Sequence, residues 1–502
     1  MKQFYFFCSL LLFSIFCSAQ GFEFAIDGEG TQSLNWGGLD SEGNVLFVGF
    51  MNDAPELPYD GLIVKVFPDG NYSSFRYNNP VYSDICFISI DILPDDRYFI
   101  IASVVNDQTD NILVLIFNSD LEVLSEKLYA LDDSYSNLGK VSTAIASDGN
   151  IVMATVATAT GDYRYGILFY KFSPEGDTLF TRADYYEPRQ QALLWFSRIP
   201  DSDELLLVAR RLSNLSGRIE FCYFDNDLNL LDSHVIPSVP SLEVNVRDPA
   251  HVTHWLNDQE FLMSCYTSFK DNPPFSEQDL TVYRLSREAV FLDTLRIVRP
   301  DTIDYPASYE SMAYVNDSTI YVAGQTSHND PLVTPELVSV FLIDADLNLL
   351  GRYDYGGDLN YWPKSVIATA DGGCMVVSNR AKEYPGGGLY YNLDAHIKKV
   401  MREDIALYSI GLSESAGVSS VTIQAYPNPV RDLFHVRLPI SVEGTSARFV
   451  IYDLQGRKVY DSRLSGKGNL LTMDLSNLPS GAYTYRLLHA EAPIGNGKFI
   501  KE

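Results

Sequence analysis

One pattern recurs seven times along this chain, at intervals even enough to dictate an architecture. Each copy has a polar turn, a short apolar strand, a variable loop, and a second apolar strand that ends in a tight turn. The first reads "SEGNVLFVGF", then "DGLIVKVFPDGN", and the third reads "SDGNIVMATV", then "YGILFYKFSPEGD". Aligned on the turn residue, the anchors are Asn44, Arg97, Asn150, Glu204, Glu260, Thr319 and Gly373, spaced 53, 53, 54, 56, 59 and 54 residues apart. Every copy leaves room for an inner strand before the turn, as in Phe87–Leu93 or Val141–Ala146. There is also room for an outer strand after the second one, as in Leu121–Tyr129 or Leu347–Tyr355. Four short antiparallel strands joined by Asp, Gly and Asn turns describe a propeller blade. A single such sheet has two apolar faces and buries neither; radial packing of seven buries each face against a neighbour.

The expected fold is therefore all-β: a seven-bladed β-propeller over residues 20–410, with a pair of packed sheets or an open solenoid as the competing arrangement. Two segments compete to complete the seventh blade. They are "FEFAI" at Phe22–Ile26 and "IALYSI" at Ile405–Ile410. The repeats resemble the loosely defined propeller repeats of secreted bacterial proteins, with "DGN" before an apolar strand and without the GH and WD dipeptides of WD40 repeats. That resemblance is architectural and implies no function.

Charge divides the chain unevenly. Residues 20–420 carry 26 basic and 58 acidic groups, a net of −32, whereas residues 421–502 carry ten and seven, a net of +3. A body this acidic repels nucleic acid and anionic membrane surfaces. At the N-terminus, Lys2 precedes an apolar run from Phe4 to Phe16, too short to cross a bilayer and suited to a signal-peptide core. Small residues at Cys17 and Ala19 place cleavage between Ala19 and Gln20, so residues 1–19 read as a signal peptide. A lipoprotein reading through Cys17 competes, weakened by the bulky Phe16 before it. No later stretch has eighteen uninterrupted apolar residues, so no transmembrane segment is expected. Four cysteines then remain, Cys86, Cys222, Cys265 and Cys374, none in a CxxC pair. They read as free thiols, not as a disulfide framework or zinc site.

Residues 411–420 are small and polar, as in a linker. Beyond them, alternation predicts about seven strands in 421–502, the count of a small Ig-like β-sandwich without its disulfide. "YPNPVRD", then "IYDLQGRKVYD", then "LSNLPSGAYTYRL", then a terminal "GKFIKE" resembles the type A C-terminal sorting domain of type IX secretion in Bacteroidetes-type bacteria. The resemblance implies export through the type IX machinery, with release or attachment at the cell surface. The residues carrying it are Tyr426, Pro427, Asn428, Pro429, Gly456, Gly481 and Tyr483. Pro427 and Pro429 fix φ and withhold two N–H donors, so this entry segment is extended and cannot join a central ladder. Gly456 and Gly481 stand where a hairpin needs positive φ.

No catalytic set emerges. GxxxxGK[ST], HExxH, GxSxG and a Gly-rich dinucleotide fingerprint are all absent. The closest metal pair, His251 and His254 in "HVTH", lies on a strand where odd spacing sends the two rings to opposite faces. "DNDLN" at 225–229 and "DADLN" at 344–348 imitate the start of a calcium loop but lack its glycine and terminal glutamate, so turn formation explains them. No cofactor is expected, with calcium at these turns as the alternative. "SPEGDTLF" at 173–180 departs from the sialidase Asp-box spacing, and no arginine triad accompanies it.

Long loops between the second and third strands share one rim with the blade-to-blade connections. They gather Tyr305, Tyr309, Tyr361, Trp362, Tyr390 and Tyr391 beside acidic and amide groups, a composition suited to stacking on sugars or gripping a peptide. Capping of the core by these same rings is the plainer alternative. The expected function is a non-catalytic binding module for a glycan or protein, secreted or held at the cell surface. The alternatives are a carbohydrate-active hydrolase or lyase using channel carboxylates, and a structural adhesion component.

Overall fold

A computed structural model describes residues 21–54, 57–106, 109–131, 135–159, 165–185, 195–213, 216–236, 242–245, 253–269, 278–298, 302–328, 336–381, 393–407, 424–426, 430–437, 447–452, 457–464, 470–489 and 492–501. Between Glu23 and Leu407 the described residues form seven antiparallel sheets in succession, and each is built around four strands. The first runs Gln32–Leu39, Val45–Met51, Asp60–Val66 and Tyr72–Tyr77, in that spatial order. The inner strands of the rest begin at Asp84, Tyr135, Trp195, Leu242, Thr302 and Tyr361. Consecutive sheets pack face to face, and the inner strand of the seventh, Tyr361–Ala368, returns to contact that of the first. This is a propeller-like arrangement, and the sheets of the described residues fall on the sequence copies.

The ring closes from the N-terminal side. Glu23–Ile26 forms the outermost strand of the seventh sheet, paired to Leu393–Val400 with Glu23 opposite Lys398 and Ile26 opposite Ala395. The competing segment goes elsewhere: Ala406–Leu407 adds to the outer edge of the sixth sheet, opposite Gly351 and Arg352. An apolar cluster then joins the first and seventh blades, with Leu34, Phe47 and Val64 against Met375, Val377 and Ile397. The seam carries charge as well. Glu23 takes a hydrogen bond at 2.9 Å from the nearly inaccessible His396 ring and one at 2.5 Å from Lys398 Nζ.

The tight turns explain how the repeat tolerates different residues. Between the third and fourth strands, Gly70 and Gly176 adopt φ of +87° and +83°, as a left-handed turn position favours. In other copies the same place holds Leu121, Leu228 and Leu347 at φ between +59° and +64°. Leucine is strained there by about 1–2 kcal/mol. Burial offsets this, since Leu228 is wholly buried and the other two nearly so. On the same rim, the Lys65 and Lys171 ammonium groups lie 3.3 Å and 2.7 Å from Asp40 and Asp148 in the turn after their own blade's inner strand.

The C-terminal residues form two further sheets. One holds Gln424–Tyr426, Leu433–Arg437 and Leu470–Asp474, and the other Ala447–Tyr452, Lys458–Leu464, Gly481–His489 and Ala492–Lys501. Phe434 from the first meets Phe449, Tyr485 and Phe499 from the second in one aromatic core.

The closing seam sets a pH dependence. Burial raises the Glu23 carboxyl, but hydrogen bonds from Lys398 and His396 overcome it and hold Glu23 below the usual carboxylate range. Burial likewise holds the His396 imidazole below its ordinary value, against the pull of Glu23. A depressed histidine binds its proton more readily in the unfolded chain, so stability falls as pH drops below about 6.5. The depressed Glu23 adds a loss at lower pH, through its folded-state value. Thermal unfolding should show a falling midpoint between pH 7 and pH 4, with a shallower slope in His396→Phe; equal slopes would exclude the seam as the cause.

Candidate functional site

The propeller axis is organised by one position of the inner strands. Four residues beyond each turn anchor lie Val48, Ile101, Ala154, Val208 and Val377, and the inner-strand residues opposite them are Trp36, Ser89, Ser142, Trp195 and Ser365. In the sixth blade the equivalent residue is Ser311, whose carbonyl accepts a hydrogen bond from Ala323 N. Two blades thus carry tryptophan where four others carry serine. The first and fourth blades are separated by two others, so their tryptophans can meet only across the axis. They do, with ring centroids 5.6 Å apart and planes inclined at 22°. Tyr309 of the sixth blade packs edge-on against Trp36 at 5.4 Å. Small serines on the other blades leave room for the large rings.

The same layer ties neighbouring blades together. Trp195 Nε1 donates to Thr253 Oγ1 at 3.1 Å, Ser89 and Thr143 share a 2.9 Å hydrogen bond, and Phe196 N donates to Ser142 Oγ at 2.9 Å. Ser365 Oγ donates to the Asn35 carbonyl, which joins the seventh blade to the first. One residue earlier, Asn35, Ile88 and Lys364 are bulged out of the pairing of three inner strands. A bulge at this place turns its side chain out of the regular alternation.

Tyr309, Glu310 and Lys364 lie on the loop side of the tryptophan layer and all three keep partial exposure. Lys364 Nζ stands 5.7 Å from the Tyr309 ring centroid. Burial pushes the Glu310 carboxyl up to about 8, as expected for an acid enclosed by protein walls at the axis. Asp91, two residues beyond Ser89 toward the tight turns, is on the other side of the layer. Burial, opposed by a hydrogen bond with Thr143, leaves its carboxyl at about 6. His254 is held down to about 4 by burial, against Asp317, and its ring stacks on Tyr314 at 4.0 Å. His251, its sequence partner, lies outside the described residues.

The rim aromatics fall into different surroundings. Tyr309 joins the axial cluster, whereas Tyr305 meets Tyr266 edge-on at 5.2 Å. Tyr361 is only 3 % exposed and is locked against Tyr355 and His396, so its ring serves the core. Trp362, next along the strand, is half-buried. Tyr390 and Tyr391 lie outside the described residues. Sequence reasoning passed over Trp36 and Trp195: they stand eight and nine residues before their turn anchors, and only the strand register, opposite Val48 and Val208, brings them to one level.

The two calcium-like turns use their carboxylates internally. Asp225 Oδ1 accepts from the backbone N–H groups of Asp227 and Asn229 at 2.9 Å and 2.8 Å, and Asp344 Oδ1 accepts from Asn348 N at 2.7 Å. Among the described residues no group of three or more His, Cys, Asp or Glu side chains is placed to hold a metal ion. Cys86, Cys222, Cys265 and Cys374 are free thiols, all but Cys86 buried.

In the C-terminal sandwich, Tyr426 ends the strand Gln424–Tyr426, while Pro427, Asn428, Pro429 and Gly456 lie outside the described residues. Gly481 opens its strand at φ +159°, near extended backbone and not in the left-handed turn expected from sequence. Tyr483 is buried, with its hydroxyl donating to the Pro479 carbonyl at 2.8 Å. Residues 424–502 match the family described as the secretion system C-terminal sorting domain. The chain carries a type IX sorting domain.

This sorting domain marks the protein for export to the cell surface or the extracellular space by the type IX machinery. No helix among the described residues is long and apolar enough to cross a membrane. The predicted cleavage site at Ala19 and Gln20 lies outside the described residues. Comparison with curated proteins finds no match. Several solved structures are similar at low identity. The polysaccharide lyase Uly1 shares 9 % identity at a TM-score of 0.45, covering 74 % of this chain and 89 % of that one. Drosophila Plexin A in complex with Semaphorin 1b shares 10 % at 0.42, covering 75 % and 86 %. The α-L-arabinofuranosidase Arb93A from Fusarium graminearum shares 11 % at 0.41, covering 75 % and 96 %.

The tryptophan layer makes its own prediction. Trp195→Ala removes a buried ring and its cross-axis stacking, and should cost about 3–5 kcal/mol in chemical denaturation. Thr253→Val removes the 3.1 Å acceptor of the Trp195 N–H and should cost about 1–3 kcal/mol. A loss under about 1 kcal/mol for Trp195→Ala would mean that the axis does not depend on the pair.

Proposed function

We propose that the exported body is a non-catalytic binding module, engaging a glycan or protein at the loop rim over the axis. The observation supporting this is the pair of tryptophans filling the axis at mid-height. With the axis occupied there, Tyr309 and Glu310 of the sixth blade and Lys364 of the seventh would border a ligand seat on the loop side, with Trp362 two residues before Lys364 on its inner strand. Aromatic rings beside one cation and one acid are suited to stacking on a ligand and holding its polar groups. Residues 20–410 would form this module and residues 411–420 the linker to the sorting domain.

A second reading, as a hydrolase or lyase, draws on the raised Glu310 carboxyl, since an acid protonated at neutral pH is a candidate proton donor. Glycoside hydrolysis ordinarily needs a second carboxyl within about 5–10 Å. Asp91, the other acid with a raised value among the described residues, stands across the tryptophan layer, which favours the binding reading.

Glycan and protein arrays probed with the exported protein should give saturable binding. Trp362→Ala combined with Lys364→Ala should weaken that binding at least tenfold without moving the unfolding midpoint. Absence of any hit would count against a binding role. Polysaccharide turnover abolished by Glu310→Gln would replace it with the enzymatic reading.

A further inference from the structure

The outer edges of the blades carry a second surface, far from the axis. In the second to fifth blades the outermost strand has, among the described residues, a sheet neighbour on one side only. Just after the turn that leads into it, each exposes apolar side chains: Leu124, Leu179, Leu230, Leu231 and Val290 are all more than half exposed. Monomers rarely leave unpaired strand edges both apolar and uncovered, because such edges recruit other chains.

The sixth blade shows how this edge is covered. Its outer strand, Leu349–Gly356, has the same turn and the same register shift at its start as the fourth blade's outer strand, Leu230–Val235. Yet Leu349 and Leu350 are half-buried there, because the chain returns with Ile405 buried and Ala406–Leu407 paired to Gly351 and Arg352. Counting from the register shift, Asp232 and Ser233 occupy in the fourth blade the places of Gly351 and Arg352. Leu230–Val235 is exposed along its length apart from His234, which sits 3.1 Å from Asp232.

We infer that Leu230–Val235 is a strand-addition edge that takes an extended segment of a partner protein, apolar at its centre and basic at its flanks. The partner's backbone pairs with Asp232 and Ser233 as Ala406–Leu407 pairs in the sixth blade, and its apolar side chains cover Leu230 and Leu231. The basic flanks follow from Asp225 and Asp232 around the edge, Asp227 being already paired to Lys171 at 3.2 Å, and from a body of net charge −32 that disfavours a second copy of itself.

The test uses the full chain and a fluorescein-labelled peptide in which "IALYSI", residues 405–410, is flanked by two lysines at each end. Anisotropy should show saturable binding, weakened at least tenfold in Leu230→Lys with Leu231→Lys. Both leucines are exposed, so the variant should keep the wild-type unfolding midpoint, and circular dichroism checks that it does. An acidic-flanked control peptide should bind at least tenfold more weakly. No binding, or equal binding by the variant, overturns the inference. Self-association in sedimentation velocity that is lost in the variant also overturns it, in favour of a second copy on this edge.

Discussion

The pairing of Glu23–Ile26 with Leu393–Val400 is the constraint on which the body depends. Every sheet in it is apolar on both faces, so each needs a neighbour on either side. Six interfaces form between blades adjacent in sequence, but the seventh joins the two ends of the repeat array. The four residues before the first repeat supply that junction. Without them the seventh sheet is one strand short, and the cluster linking Phe47 to Val377 loses the outer strand beside it. Glu23, His396 and Lys398 therefore hold together residues nearly four hundred positions apart. Loop closure over such a length costs configurational entropy that grows only slowly with length, so a short strand on a large prepacked interface suffices.

Closure also determines what the axis can be. Seven inner strands converge on it, and one register position faces inward at the same level in successive blades. Two tryptophans fill the space and serines elsewhere yield to them, so one layer provides both packing and blade-to-blade hydrogen bonds. Tyr309, Glu310 and Lys364 lie on the loop side of this layer, and Asp91 and His254 on the turn side.

Much of the fold was legible beforehand because turn chemistry and alternation are local. The intervals between anchors mark the repeated copies, and the sheets of the described residues fall on them. The sorting domain was legible for a different reason: four short motifs in order identify an address read by export machinery. The candidate site was far less legible. Tyr361 and Trp362 are neighbours in sequence, yet one is locked in the core and the other half-exposed. Strand alternation predicts that such neighbours diverge, but not which one faces the core, because a bulge at Lys364 resets the phase beside them.

The sequence by itself determined the repeat, its strand order, the acidic body and the export label, all of which follow from residue types at fixed short spacing. Only the tertiary structure decided which end closes the ring, since "FEFAI" and "IALYSI" are equally good strands and differ only in the edge each can reach. The same holds for Trp36 and Trp195, whose contact spans blades that no local pattern connects. Long-range pairing depends on where strands are brought in space, and in a closed ring that is known only once all the blades are in place.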